Sequence, residues 1–234
     1  GLIGVTWALS IAPMGAPDEI AHSRRAVAAA RGDLLPQTVW ADTPQLRVPS
    51  AEVMVPLGYG KGFVIGNEQT NCWTNQRRVP TSCATRPDSV SGPMQRAVTY
   101  VGAYQPGYYL LVGLPSRWLA PSTGIYAMRI VSALVAAALL ATAVLSLSEL
   151  ARGPWAVAGW AVALTPTVLF LGGAINPNGV EIAASLAVWT SILALLAGTG
   201  PPPVRLLARV GAVTVILAST RPTSPLLLVA IVAG

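Results

Sequence analysis

Apolar residues along the chain fall into separated runs, with one long polar stretch between the first and the second. Residues 1–12 (GLIGVTWALSIA) are apolar but too short to cross a bilayer alone. They read as the outer end of a first transmembrane helix that begins before Gly1. A signal peptide is the competing reading, and the absence of a basic flank and of a small-residue cleavage site counts against it. Residues 126–148, 154–175 and 179–197 each approach the roughly 20 residues a helix needs to span, so three further transmembrane helices are expected. From 206 to 234 apolar residues resume, interrupted by Thr220-Arg221-Pro222-Thr223-Ser224-Pro225. Two prolines this close break or kink a helix, so this segment either turns back at membrane depth or crosses as one kinked helix. The chain stops inside an apolar run, as the first part of a longer multi-pass protein would.

Residues 13–125 hold seven of the nine acids and both cysteines and form the one large polar segment. Pro17, the acids Asp18 and Glu19 and the later Gly32 predict a helix over 18–31, since proline suits a first helical turn, acids complement its positive end and glycine stops it. Residues 47–70 carry short β-leaning runs, VMVPL and FVI. Residues 94–104 read as helical, with Tyr100 and Tyr104 sharing a face at i, i+4 spacing. Tyr108, Tyr109 and Trp118 nearby suit the headgroup zone, where amphipathic rings are favoured.

Composition sharpens the class. The chain is 53% hydrophobic and 10% charged, against roughly 25% charged in an ordinary soluble domain, and its mean hydropathy is +0.58. A membrane protein is expected. The net charge of +6 is carried by scattered arginines and Lys61 without interleaved aromatics, which argues against a nucleic-acid partner. Arg152, Arg205 and Arg209 flank short links that the positive-inside rule assigns to the cytoplasm. The turn Asn176-Pro177-Asn178-Gly179 and the loop 13–125 then face the extracytoplasmic side. Arg129 runs against this count, although long translocated loops largely ignore the rule. The Arg and Ala richness fits a GC-rich bacterial genome, and hence a bacterial plasma membrane. In an oxidising compartment Cys72 and Cys83 can close a disulfide worth roughly 3 kcal/mol, with two unpaired thiols as the alternative. Two cysteines and the single His22 fall short of the usual four zinc ligands. No metal site or other cofactor is therefore expected, with a divalent metal left open.

Candidate chemistry begins with "PDEIAH", residues 17–22. Asp18 and Glu19 follow the apolar run at the boundary between membrane and water, where a lipid-linked substrate presents its headgroup. A partly desolvated carboxylate there can act as a general base, whereas the plainer reading is that both acids cap a helix. Glu181 lies just inside a predicted helix after the Asn-Pro-Asn-Gly turn, with Asn176 and Asn178 beside it. Arg221 falls in or near the hydrocarbon, where an ionised side chain usually marks a function. Gly58-Tyr59-Gly60-Lys61-Gly62 lacks the Walker spacing, Arg31-Gly32-Asp33 reads as a helix stop, and no G-x-S-x-G motif is present.

An apolar helix, then PDEIAHSRRAVAAARGD (17–33), a long loop, YQPGYYLL (104–111) and further apolar helices resemble the opening of bacterial integral-membrane glycosyltransferases of the GT-C class. The stretch LTPTVLFLGGAINPNGVEIAAS (164–185) is similar to one found in a bacterial multi-pass family catalogued only as a domain of unknown function. Gln105-Pro106-Gly107 departs from the His-Pro-Pro or Lys-Pro-Pro element of the class. The resemblance implies an all-α multi-pass GT-C-like fold with a mixed α/β extracytoplasmic loop between its first two transmembrane helices. It implies transfer of a sugar, with inversion, from a polyprenyl-phosphate donor to an envelope acceptor. On that reading Asp18 takes the acceptor proton, and Glu19 and His22 position the acceptor or tune Asp18. Arg221, with Arg129 second, stabilises the leaving phosphate, unless either arginine only snorkels. Glu181 faces a watery cavity or lies near the interface, Asn176 and Asn178 line the same cavity or only form a turn, and Tyr104, Gln105, Tyr108 and Tyr109 cover the donor headgroup or anchor the interface. The rivals are a transporter or flippase of lipid-linked sugars, with Arg221 and Glu181 along its pathway, and a non-catalytic envelope binding protein.

Overall fold

The computed structural model describes residues 1–42, 47–60, 78–80, 89–150 and 154–233. Cys72, Cys83, Lys61 and Arg152 lie outside the described residues, and so does the expected disulfide. The order of elements is α1 (Leu2–Ser10), α2 (Glu19–Ala30), β1 (Gln37–Asp42), β2 (Arg47–Pro56), a single turn α3 (Leu57–Gly60), β3 (Met94–Thr99) and α4 (Pro106–Gly113). A short 3-10 turn, Leu114–Arg117, leads into α5 (Pro121–Leu150), α6 (Pro154–Ala163), α7 (Pro166–Gly172), α8 (Pro177–Leu196), α9 (Val204–Ala218) and α10 (Ser224–Ala233). Among the described residues the chain is mostly helical, with one small sheet.

Among the described residues α5 and α8 are the helices long and apolar enough to cross a bilayer. They pack against each other and are joined by a buried hydrogen bond between Ser146 and Ser191 at 2.8 Å, and both carry many buried alanines, with Ala133 and Ala136 of α5 lying against Gly4 of α1 and Gly172 of α7. Small residues let two helix backbones approach closely, which is the main source of helix association where lipid surrounds the pair. Residues 154–175, expected as one span, form two helices. Thr165 is extended and caps α7 by accepting from the Val168 N–H at 3.4 Å, and Pro166 supplies the first residue of α7. A proline inside a continuous helix would remove a backbone bond and clash with the preceding turn, so the chain breaks there. The 206–234 segment is likewise broken. α9 stops at Ala218, residues 219–223 turn, and α10 restarts at Ser224.

Residues 94–99 are a strand, not the expected helix. β3 pairs antiparallel with β2, with Val53 opposite Ala97 and Ala51 opposite Thr99, and β1 pairs on the other side of β2 to give the order β1-β2-β3. Exposure in β3 falls at alternate residues, the period-2 pattern that a half-buried strand requires. Pairing and packing override the weak helical preference of MQRAVT. Ala51, Val53 and Val55 of β2 are buried, and the sheet packs on α2.

α2 is the axle of this polar layer. Ten consecutive residues, Ala21–Ala30, are buried although they include His22, Ser23, Arg24 and Arg25. The sheet covers one side and α4 the other. Gly113 of α4 makes the second contact possible, because a Cβ there would overlap the carbonyl of Ala26. The charged heads stay buried and are met by backbone carbonyls: Arg24 Nη1 donates to Val98 O at 2.6 Å, and Arg25 donates to Asp33 O and Leu34 O, each at 2.7 Å. A buried cation needs such partners to offset its lost hydration.

Candidate functional site

Asp18 and Glu19 are neighbours in sequence with opposite fates. Glu19 is completely buried and meets Arg129 of α5 in a bidentate pair, Nε to Oε1 at 2.7 Å and Nη2 to Oε2 at 2.6 Å. The backbone N–H of Ile175 also donates to Oε1, at 3.2 Å. Arg129 spends its remaining donors on the C-terminal end of α1, to Ala8 O at 3.0 Å, Ile11 O at 2.6 Å and Ala12 O at 2.8 Å. All five guanidinium N–H groups are thereby satisfied, the condition under which a buried arginine is tolerable. Asn176 completes this inner layer: its Nδ2 donates to Pro17 O at 3.0 Å while its Oδ1 accepts from the Asn178 N–H at 2.9 Å and caps α8. The PDE segment is thus pinned at once to the end of α1, to α5 and to the start of α8.

Asp18, in contrast, is exposed. It sits at the N-terminal boundary of α2 without capping it, and its Oδ1 accepts from Tyr100 Oη at 2.6 Å. Asp18 and Glu19, expected together at the boundary between membrane and water, part here: successive residues at a helix start point in different directions, so one carboxylate enters the core and the other faces out.

Around Asp18 the structure gathers residues from four other places in the chain. His22, one turn along α2 and buried, lies 2.8 Å through Nδ1 from Tyr109 Oη. Tyr104 lies between His22 and Arg221, its ring 6.0 Å from the imidazole and 5.6 Å from the guanidinium carbon. Arg221, in the break between α9 and α10, donates from Nη1 to Glu181 Oε2 at 2.8 Å, and Ser224 Oγ donates to Glu181 Oε1 at 2.7 Å. Glu181 side-chain exposure is 7% and that of Arg221 26%, so the arginine reaches the surface where the acid does not. The buried Arg221 Nε and Gln105 Oε1 have no hydrogen-bond partner among the described residues. These groups gather at one end of the helices, where α1 and α9 finish and α2, α8 and α10 start.

The other expected site residues lie apart from this rim. Tyr108 is buried against α5, its hydroxyl 3.0 Å from Ser132 Oγ. Arg129, Asn176 and Asn178 belong to the inner layer. Tyr100 and Ser224 were missed as site residues. Reading 94–104 as helix paired Tyr100 with Tyr104 on one face and gave no link from Tyr100 to Asp18. A cavity of about 280 Å³ lies between α1, α5, α6, α7 and α8, lined by Gly4, Ala133, Ala137, Leu140, Trp160 and Val168 among others. Gly179 faces it, and Glu181 two residues on is turned roughly 200° away on a 3.6-residue helix. The cavity is therefore separate from the Asp18–Arg221 rim.

Burial pushes the His22 imidazole down to about 4 from its ordinary value of 6.5; Asp18 pulls it back up and Arg221 pushes it further down. Tyr109 and Tyr104 complete its surroundings. Between pH 6.5 and 4 the unfolded chain therefore binds a proton at this position that the folded chain does not, so stability falls with falling pH in that window. The cost at pH 5 relative to pH 7 is about 2 kcal/mol. Thermal melts in detergent should show this acid-side loss in the wild type and a smaller loss in His22→Gln; equal losses would remove His22 as the cause.

Among the described residues two apolar helices reach bilayer length. Over residues 2–234 the chain matches the family described as predicted membrane protein (DUF2142), and it belongs to that family. No curated protein and no solved structure matches it.

Proposed function

We propose that the protein is an integral-membrane glycosyltransferase that moves a sugar from a polyprenyl-phosphate donor to an extracytoplasmic acceptor, a cell-envelope glycan or lipid. The observation that carries this reading is the rim itself. An exposed carboxylate on Asp18 and a surface-reaching guanidinium on Arg221 flank the buried His22, which feels the charge of both. Both lie where several helices begin or end, which on this reading is the height at which a lipid-linked headgroup meets water. The sequence resemblance to the GT-C class supports the same reading.

In the proposed step the Asp18 carboxylate takes the proton of an acceptor hydroxyl, and the acceptor oxygen attacks the anomeric carbon from the face opposite the phosphate. The bond from that carbon to the phosphate oxygen breaks, and polyprenyl phosphate departs with the electron pair. A positioned base contributes typically 10²–10⁴-fold, and a fixed cation at the leaving oxygen adds to this in a poorly hydrated site. Arg221 fits that role better than Arg129, because Arg129 is fully buried with its donors used within the protein whereas the Arg221 side chain reaches the surface. Glu181 and Ser224 hold Arg221 in place, and Tyr104 forms its apolar backing.

A flippase would use the same rim without changing a covalent bond, and one assay separates the two. Full-length protein in liposomes is given radiolabelled polyprenyl-phosphate sugars and an envelope fraction as acceptor. The proposal expects label covalently joined to acceptor and polyprenyl phosphate released. Label that crosses the bilayer still on its carrier, with none on acceptor, would show a transporter instead.

A further inference from the structure

The structure assigns Tyr100 as the positioning residue of the Asp18 carboxylate, an assignment that deepens the proposed function and rests on Asp18 being its base. An aspartate at the N-terminal boundary of a helix ordinarily has an extended backbone and accepts from an N–H of the first turn. Asp18 does neither: its φ is 59° and ψ 6°, and its side chain makes no capping bond. Aspartate tolerates the left-handed region better than most residues but still at a cost, and the lost cap adds to it.

Both flanking residues enforce this conformation. Pro17 is tied through its carbonyl to Asn176, and Glu19 is locked onto Arg129 and Ile175. The residue between them has its carboxylate turned outward and away from the helix end. Left alone, an exposed carboxylate would rotate among rotamers. Tyr100 stops this with a 2.6 Å bond to Oδ1, the length of a charge-assisted O–H···O⁻ contact. Partial burial and the neighbouring carboxylate raise the half-exposed phenol above its ordinary value, so it keeps the proton it donates. Among the described residues Oδ2 has no partner, which leaves it for an acceptor hydroxyl.

The small sheet delivers the phenol. Tyr100 follows the last residue of β3, and the end of β3 is fastened to α2 twice: Thr99 Oγ1 donates to Ala21 O at 2.9 Å and Arg24 Nη1 donates to Val98 O at 2.6 Å. Sheet and helix therefore move together, and the sheet becomes part of the site through one hydroxyl. In a turnover assay Tyr100→Phe should lower kcat about tenfold with KM nearly unchanged, since the group acts on the base and not on substrate binding.

The test needs no substrate. Full-length protein in detergent is treated with a water-soluble carbodiimide and glycine methyl ester, and labelling of Asp18 and Glu19 is followed by peptide mass spectrometry. The lost hydrogen bond should speed labelling of Asp18 roughly fivefold in Tyr100→Phe, with Glu19 unlabelled as in the wild type. Thr99→Val, which keeps the phenol but cuts one tether, should give a smaller increase. If Glu19 also becomes labelled in Tyr100→Phe, Thr99→Val decides. Wild-type labelling of Asp18 in Tyr100→Phe, or in Thr99→Val in that case, overturns the assignment whatever the transfer assay gives. Faster labelling in a protein that transfers no sugar would uphold the positioning and sink only the catalytic reading.

Discussion

Glu19→Gln is expected to destabilise the protein by about 3–5 kcal/mol, the range for removing one partner of a buried ion pair. The amide keeps the shape of the carboxylate but not its charge, so Arg129 is left ionised in a site where both side chains are fully buried. One of the two parallel N–H···O bonds is also turned donor against donor. Arg129→Lys should be nearly as damaging. An ammonium has three donors where the guanidinium uses five, and it cannot serve a carboxylate and three carbonyls together. Replacing both residues by methionine should not restore stability, although apolar replacements often do for buried pairs. Here the carbonyls of Ala8, Ile11 and Ala12 would lose their partner. Melting temperature and monodispersity in detergent are the measurements, and a wild-type melt for Glu19→Gln would refute the keystone role.

Much of the helical frame was legible because hydropathy alone marks it. α5 and α8 stand out as apolar runs of bilayer length, and the Thr-Arg-Pro-Thr-Ser-Pro interruption announced the break between α9 and α10. Thr165-Pro166 is an equally good helix-start signal, but it lies inside an apolar stretch, and hydropathy averaging hid it. β3 was lost for the opposite reason: six residues alternate too briefly to outweigh the helical content around them, and its pairing partner lies some forty residues earlier. In the site, Asp18, His22, Glu181 and Arg221 could be named from local cues, acids at a helix start or charges within apolar runs. Their pairings could not. Glu19 finds Arg129 at a separation of 110 residues and Glu181 finds Arg221 at 40, and no periodicity in a single chain links such positions. The division of labour between Asp18 and Glu19 depends on the left-handed turn at Asp18, which tertiary contacts on both sides impose.

Asp18→Asn should abolish catalysis and leave the fold intact. Asparagine has the same shape, tolerates a positive φ as aspartate does, and offers Tyr100 a carbonyl oxygen in place of the carboxylate. Only the ability to take a proton is lost. Because Asp18 is exposed and caps no helix, no stability change beyond a few tenths of a kcal/mol is expected. The rate should fall about 10²–10⁴-fold, the contribution of a positioned base. The most direct measurement is single-turnover transfer of radiolabelled sugar from polyprenyl phosphate to envelope acceptor, by wild-type and Asp18→Asn protein of equal melting temperature. The account predicts product with the wild type and at least about a hundredfold slower product with the variant; transfer at the same rate by both would contradict it.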